Sequence, residues 1–232
     1  MERALHKGDG QMGMVAKCIQ NVLWLGVLLA GVSPGARAEA PDPDVLIRNV
    51  VQEVLAVVKQ DKDIQAGDQK KILELVDAKV LPHFDFTRMT QLAVGKHWRA
   101  ATPEQRQALM TEFRNLLVRT YTKAFTVYRD QTVEIKPFKM PPGATEVTIK
   151  TIIIKPGEPG IPVDYDMEKT AAGWKAYDLA VEGVSLVTNY RSTFSDEIQK
   201  AGIDGLIKTL VEKNQVAANA PLRKAESQKG GS

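Results

Sequence analysis

Beyond the N-terminal segment, His83 and His97 are the only imidazoles, and a predicted helix separates them. A zinc site would need both plus carboxylates, and neither has a partner at the spacing of a zinc motif. His83-Phe84-Asp85 is the one close pairing of an imidazole with a carboxylate, but Asp85 stands where a helix cap belongs and His83 reads as a loop residue. Ser185 lies in Gly183-Val184-Ser185, without the second glycine of a nucleophile elbow. No phosphate loop, dinucleotide fingerprint or paired-glutamate pattern occurs. The residues therefore point to no enzyme, no metal and no cofactor. One alternative stays open: a cone-shaped sheet can do proton chemistry on a small apolar substrate through a buried tyrosine and aspartate, for which Tyr165, Tyr177 and Asp178 are the candidates. By alternation Asp164 and Asp166 point away from the apolar face, and a lone strand aspartate such as Asp178 reads as solvated.

The elements that would position these residues fall into an order of helices, sheet, helices, an α+β arrangement. Asp42-Pro43 starts an amphipathic helix carrying Ile47, Val50, Val51, Val54, Leu55 and Val58. Asp68 caps the next, with Ile72, Leu75, Val76 and Val80 before the stop at Pro82. Asp85 caps a third, with Phe84 and Met89 placed as a hydrophobic staple and Gly95 as its close. Thr102-Pro103-Glu104-Gln105 opens a long helix whose stripe runs Leu109, Phe113, Leu116, Leu117, Tyr121, Ala124, Phe125 and Tyr128. After about residue 129 the period changes to two, giving four strands: Val133 and Ile135; Thr145 to Lys155; Ile161 to Glu168; and Trp174 to Val181. Short connections imply an antiparallel meander. Ser185 caps a helix that stops at Gly202, and Asp204 caps the last one, to Asn214.

One side of this sheet is apolar: Val133, Ile135, Val147, Ile149, Ile161, Val163, Tyr165, Tyr177, Leu179 and Val181. Phe113, Leu117, Tyr121 and Phe125 packing on that face would make an ordinary core, and pattern alone does not separate a filled core from a cavity. A third reading is accordingly an interaction subunit with a filled core and no ligand.

Val22 to Val32 is a short apolar run preceded by Lys17 and followed by Ala36-Arg37-Ala38, the grammar of a cleavable signal peptide over residues 1–38. It is shorter than the roughly 20 apolar residues of a bilayer span. Cys18, the sole cysteine, lies within it, so the remainder is expected to fold without a disulfide. The formal net charge of the chain is +3. Residues 1–38 hold Arg3, Lys7, Lys17 and Arg37 against Glu2 and Asp9, which leaves about +1 for the rest and no footprint for nucleic acid. The expected organisation is one domain over 39–215, helical over about 43–128, with the sheet over about 129–182 and helices over about 186–214. Residues 216–232 read as a disordered tail.

From Gly173-Trp174-Lys175-Ala176-Tyr177-Asp178 through Val181-Glu182-Gly183-Val184-Ser185-Leu186-Val187 and Asn189-Tyr190-Arg191 to Gly202-Ile203-Asp204-Gly205-Leu206-Ile207, the sequence resembles the MlaC family, also called the toluene-tolerance auxiliary family. The likeness extends over roughly residues 44–214. It implies a twisted four-stranded antiparallel sheet wrapped by N- and C-terminal helices around an apolar cavity, of the NTF2-like/cystatin-like kind. It also implies a soluble, monomeric periplasmic carrier of glycerophospholipid that shuttles between an outer-membrane lipoprotein–porin complex and an inner-membrane ABC transporter with an MCE-domain subunit, maintaining outer-membrane lipid asymmetry. On that basis the lipid-binding candidates are Phe113, Leu117, Tyr121, Phe125, Val147, Ile149, Val163, Tyr165, Tyr177, Val184, Val187 and Tyr190, with Arg191 as head-group candidate.

Overall fold

The computed structural model describes residues 40–121 and 131–219; the expected signal peptide and Phe125 lie outside the described residues. Among the described residues six α-helices follow in chain order: α1 Pro43–Gln60, α2 Lys62–Ala66, α3 Gln69–Lys79, α4 Phe86–Val94, α5 Pro103–Tyr121 and α6 Leu186–Asn219. The strands are β1 Thr132–Ile135, β2 Glu146–Ile154, β3 Ile161–Thr170, β4 Gly173–Val181 and the two-residue β5 Val184–Ser185, paired in chain order as an antiparallel meander. Five strands replace the expected four because the chain turns back at Glu182-Gly183 and pairs Val181 with Val184 before entering α6. Helix α6 runs through residue 219, four residues into the segment expected to be a tail.

Most helix starts follow from local chemistry. The Asp68 carboxylate accepts from the Lys71 N–H at 3.0 Å and that of Asp85 from the Arg88 N–H at 2.8 Å. Thr102 and Gln105 form a reciprocal capping box, Thr102 N–H to Gln105 Oε1 at 3.0 Å and Gln105 N–H to Thr102 Oγ1 at 3.2 Å. Between these helices Leu81–His83 and Gly95–Ala100 form short 3₁₀ turns. Gly202, at φ 73° and ψ −178°, breaks α6 in two in a backbone region open only to glycine. The Asp204 carboxylate just past that break accepts from Gln105 Nε2 at 2.8 Å, which ties the second half of α6 to the start of α5.

The described interior has three apolar clusters. Met89, Ala93, Val94, Leu109, Phe113, Leu117, Val187, Phe194, Ile198, Leu206 and Leu210 join α4, α5 and α6. Ile47, Ile149, Met167, Trp174 and Ala176 join α1 to the sheet. Val54, Val58, Ile64, Ile72 and Leu75 join the far half of α1 to α2 and α3. The helix that covers the apolar sheet face is thus α1, with Leu46, Ile47 and Val51, whereas the stripe of α5 packs on α4 and α6. The sequence pattern could not choose between two amphipathic helices of similar length, and here the expectation for α5 is corrected. Phe84 packs against both the helical and the sheet cluster, and the backbone beside it bridges to β4, with the Asp85 N–H donating to the Ala176 carbonyl at 2.8 Å.

Candidate functional site

The sheet and the α4–α5–α6 layer meet along a seam whose residues come from β2, β3, β4 and the start of α4. Register places Glu146, Thr148, Asp166 and Glu168 on the sheet face opposite the apolar one, since Val147 pairs with Met167 and Ile149 with Tyr165 on the other side. A bulge opposite Asp166 and Met167 inserts Tyr177 as an extra residue of β4, because Asp166 pairs with Asp178 but Met167 pairs with Ala176. Strict alternation had put Tyr177 on the apolar face. The bulge turns it to the seam, where the Arg88 guanidinium lies 3.6 Å from its ring centroid.

Arg88 holds the seam together. Its Nη1 donates to Glu168 Oε2 at 2.5 Å and its Nη2 to Glu146 Oε1 at 2.8 Å, while the Tyr177 hydroxyl donates to Glu146 Oε2 at 3.3 Å. Burial alone would make this guanidinium easier to deprotonate, but the bonds to Glu146 and Glu168 reverse that and raise its pKa further. Burial is also the main reason the Tyr177 hydroxyl is pushed up, with the Glu146 charge next.

Asp178 is buried, contrary to its reading as a solvated strand residue. Its carboxylate accepts from the Leu179 N–H at 2.8 Å, the Val187 N–H at 3.1 Å and the Ser185 hydroxyl. Ser185 Oγ in turn accepts from the Thr188 N–H at 2.9 Å, capping α6 as expected. The Ser185–Asp178 pair therefore locks the β4–β5–α6 turn, and its donors are spent on structure. His83 is held below its ordinary value by burial and then by the Lys175 charge. His97 Nε2 is buried without a hydrogen-bond partner among the described residues. No group of three potential metal ligands occurs among the described residues.

The expected site residues separate into two groups. Phe113, Leu117 and Val187 are buried in the helical cluster, with Tyr177 and Tyr190 packed against it. Phe113 meets Tyr190 and Phe194 edge-on, each at a centroid distance of 5.1 Å. Tyr190 is half-buried, and its hydroxyl is raised by that burial; Tyr121 is raised by burial and by the nearness of Tyr190. Ile149 belongs to the sheet cluster with Val147 and Tyr165 beside it, and Val163 is buried on the same strand face. Tyr121 and Val184 are 37% and 58% exposed. Arg191 is exposed, and its Nε donates to the Leu92 carbonyl at 2.9 Å in the last turn of α4. Sequence reasoning missed Arg88, Glu146 and Glu168. Each is a charged residue on a polar face, and only the pairing of α4 with the sheet brings them together.

Fold and seam together define an α+β domain in which an antiparallel meander is covered by helices on both faces. The chain belongs to the MlaC protein family, whose model matches residues 48–212. It is 26% identical to the toluene tolerance protein ttg2D of Pseudomonas putida, over 84% of this chain and 93% of that protein. It is 24% identical to the intermembrane phospholipid transport system binding protein MlaC of Haemophilus influenzae, over 78% of this chain and 84% of that one. Its fold matches the solved structure of the phospholipid-binding protein from Ralstonia solanacearum in complex with a phospholipid, with a TM-score of 0.72 and 39% identity, covering 77% of this chain and 99% of that one.

Proposed function

We propose that this chain is a periplasmic carrier of glycerophospholipid. The observation that carries the reading is the relationship to the Ralstonia solanacearum protein, which was solved with a phospholipid bound and aligns over 99% of its length. Each buried methylene is worth about 0.8 kcal/mol, so two long acyl chains need on the order of 20 kcal/mol of gross shelter from water. A carrier must enclose them almost completely. The seam between the helical layer and the sheet is the place we assign to that enclosure, because the helical cluster lines one side of it, Phe84 links that cluster to the one beneath the sheet, and Arg88 bridges the layers. Phe113, Leu117, Tyr121, Val187 and Tyr190 would supply the helical wall, with Tyr177 and Val184 at the junction; Val147, Ile149, Val163 and Tyr165 lie on the opposite sheet face, under α1, and would back the sheet rather than line the seam.

In this reading residues 1–38 direct export and are removed, and residues 39–215 form the single carrier domain. No helix of the described residues is long and apolar enough to cross a membrane. The carrier works as a monomer between an outer-membrane lipoprotein–porin complex and an inner-membrane ABC transporter with an MCE-domain subunit, and it catalyses no reaction. Native mass spectrometry of the purified mature chain, followed by organic extraction, tests the proposal. A stoichiometric phospholipid is the expected result. A ligand-free chain that also takes up no phospholipid from vesicles would return the seam to ordinary core and leave an interaction subunit.

A further inference from the structure

A concavity of about 430 Å³ opens on the outer side of the helical layer, lined by Gln91, Leu92, Gly95, Lys96, Trp98, Arg99 and Arg191. Three of its residues are cationic and none is acidic, on a chain whose overall charge is close to balanced. Three of the backbone acceptors around it are already engaged. Arg191 Nε takes the Leu92 carbonyl, while Arg106 takes the Trp98 carbonyl through Nε at 3.1 Å and the Arg99 carbonyl through Nη2 at 3.3 Å. Its charged groups are therefore all donors, Lys96 Nζ, the Arg99 guanidinium and the Nη groups of Arg191, beside the neutral amide of Gln91. Anchoring Arg191 through Nε leaves its Nη edge without a protein partner among the described residues and spares part of the entropy cost of ordering it. Gly95 is set by its backbone and not by crowding at Arg191. It sits at φ 62° and ψ −132°, and a β-carbon there would lie 4.0 Å from Arg191 Nε.

A lining whose charged groups are all donors, with the Gln91 amide oxygen its one side-chain acceptor, suits a phosphate, whose oxygens only accept. Trp98, half-buried against the helical cluster with the Arg106 guanidinium 5.4 Å from its ring centroid, lies beside Lys96 and Arg99, a combination of aromatic ring and cations also found at membrane interfaces. We infer that this pocket is a docking site for the phosphate groups of anionic phospholipids at a bilayer surface, on the outside of the molecule and distinct from the cargo seam. The inference goes beyond the carrier reading and does not need it, since a chain without cargo would still present the pocket. Its role is to bring the protein to the membrane face with a defined orientation. Because the contacts are exposed charges, the interaction weakens as salt is raised.

The test is co-sedimentation of the mature chain with phosphatidylcholine vesicles doped with phosphatidylglycerol. The double variant K96E/R99E changes two exposed side chains that make no side-chain hydrogen bond or ion pair among the described residues, and a melting curve checks that it stays folded. Each basic residue at an anionic surface contributes about 1 kcal/mol, so the double variant should bind about thirtyfold more weakly or worse. K62E/K139E, with the same charge change at exposed positions elsewhere, should lose no more than about threefold. Inorganic phosphate in excess should compete with the vesicles for the wild-type chain. Equal losses in the two double variants, or no loss in K96E/R99E, would overturn the inference. So would a K96E/R99E chain that keeps its vesicle binding but loses binding to a poly-glutamate peptide, which would assign the pocket to an acidic protein. Extracted phospholipid should be the same in wild type and K96E/R99E, so a failure of the cargo proposal and a failure of this one give different results.

Discussion

Replacing Arg88 by methionine keeps most of the side chain's apolar volume and removes its charge, which isolates what the guanidinium does at the seam. Its side chain is 25% exposed, and those of Glu168 and Glu146 are 21% and 54% exposed, so the two ion pairs should not count equally. The bond to the mostly covered Glu168 is worth about 1.5 kcal/mol as a charge-assisted hydrogen bond. The more exposed Glu146 pair adds about 0.5 kcal/mol. Stacking on Tyr177 adds about 1 kcal/mol. The sum is about 3 kcal/mol, which for a domain of this size lowers the melting temperature by about 6–12 °C. Urea unfolding followed by tryptophan fluorescence should show a lower midpoint with an unchanged slope. Because truncation also leaves two carboxylates without a counter-charge, the decisive measurement is the double-mutant cycle with Glu168→Gln, which should return a coupling of about 1–2 kcal/mol. A coupling below about 0.5 kcal/mol would refute the idea that this pair bridges the layers.

Asp178→Ala should destabilise the chain by about 2–4 kcal/mol in the same unfolding experiment, because the buried Val187 N–H, the Ser185 hydroxyl and the Leu179 N–H lose their shared acceptor. A loss below about 1 kcal/mol would mean that water reaches these donors. His83 gives a pH-dependent prediction: burial and the Lys175 charge place its folded pKa below the ordinary 6.5. Its contribution to stability is then complete above pH 6.5 and is lost as pH falls through the lower folded value, since the unfolded chain takes up the proton first. His83→Gln removes that term, so wild-type stability should fall relative to the variant as the solution is acidified from about pH 8 to about pH 5. Curves that stay parallel would show His83 to be unperturbed.

What the sequence determined by itself is local. The caps at Asp68, Asp85, Thr102 and Ser185 could be read directly, because each depends on a side chain reaching a backbone group two or three residues away. The strands were legible from their alternation, and short turns left the meander as their natural pairing. The MlaC resemblance likewise resided in a continuous stretch around β4 and α6. Tertiary structure decided everything that depends on which elements meet. Two amphipathic helices could have covered the apolar sheet face, and α1 took it while α5 joined α4 and α6. One inserted residue in β4 turned Tyr177 to the opposite face, a change of register that side-chain pattern cannot reveal because Tyr suits either side. Asp178 reads as solvated until the return of the chain through β5 brings the Ser185 hydroxyl and the Val187 N–H to it, beside the adjacent Leu179 N–H. Arg88, Glu146 and Glu168 are far apart in the chain and ordinary in type. They become a clamp only when α4 docks on the sheet, since the energy of an ion pair depends on distance and burial, and neither is written in sequence spacing.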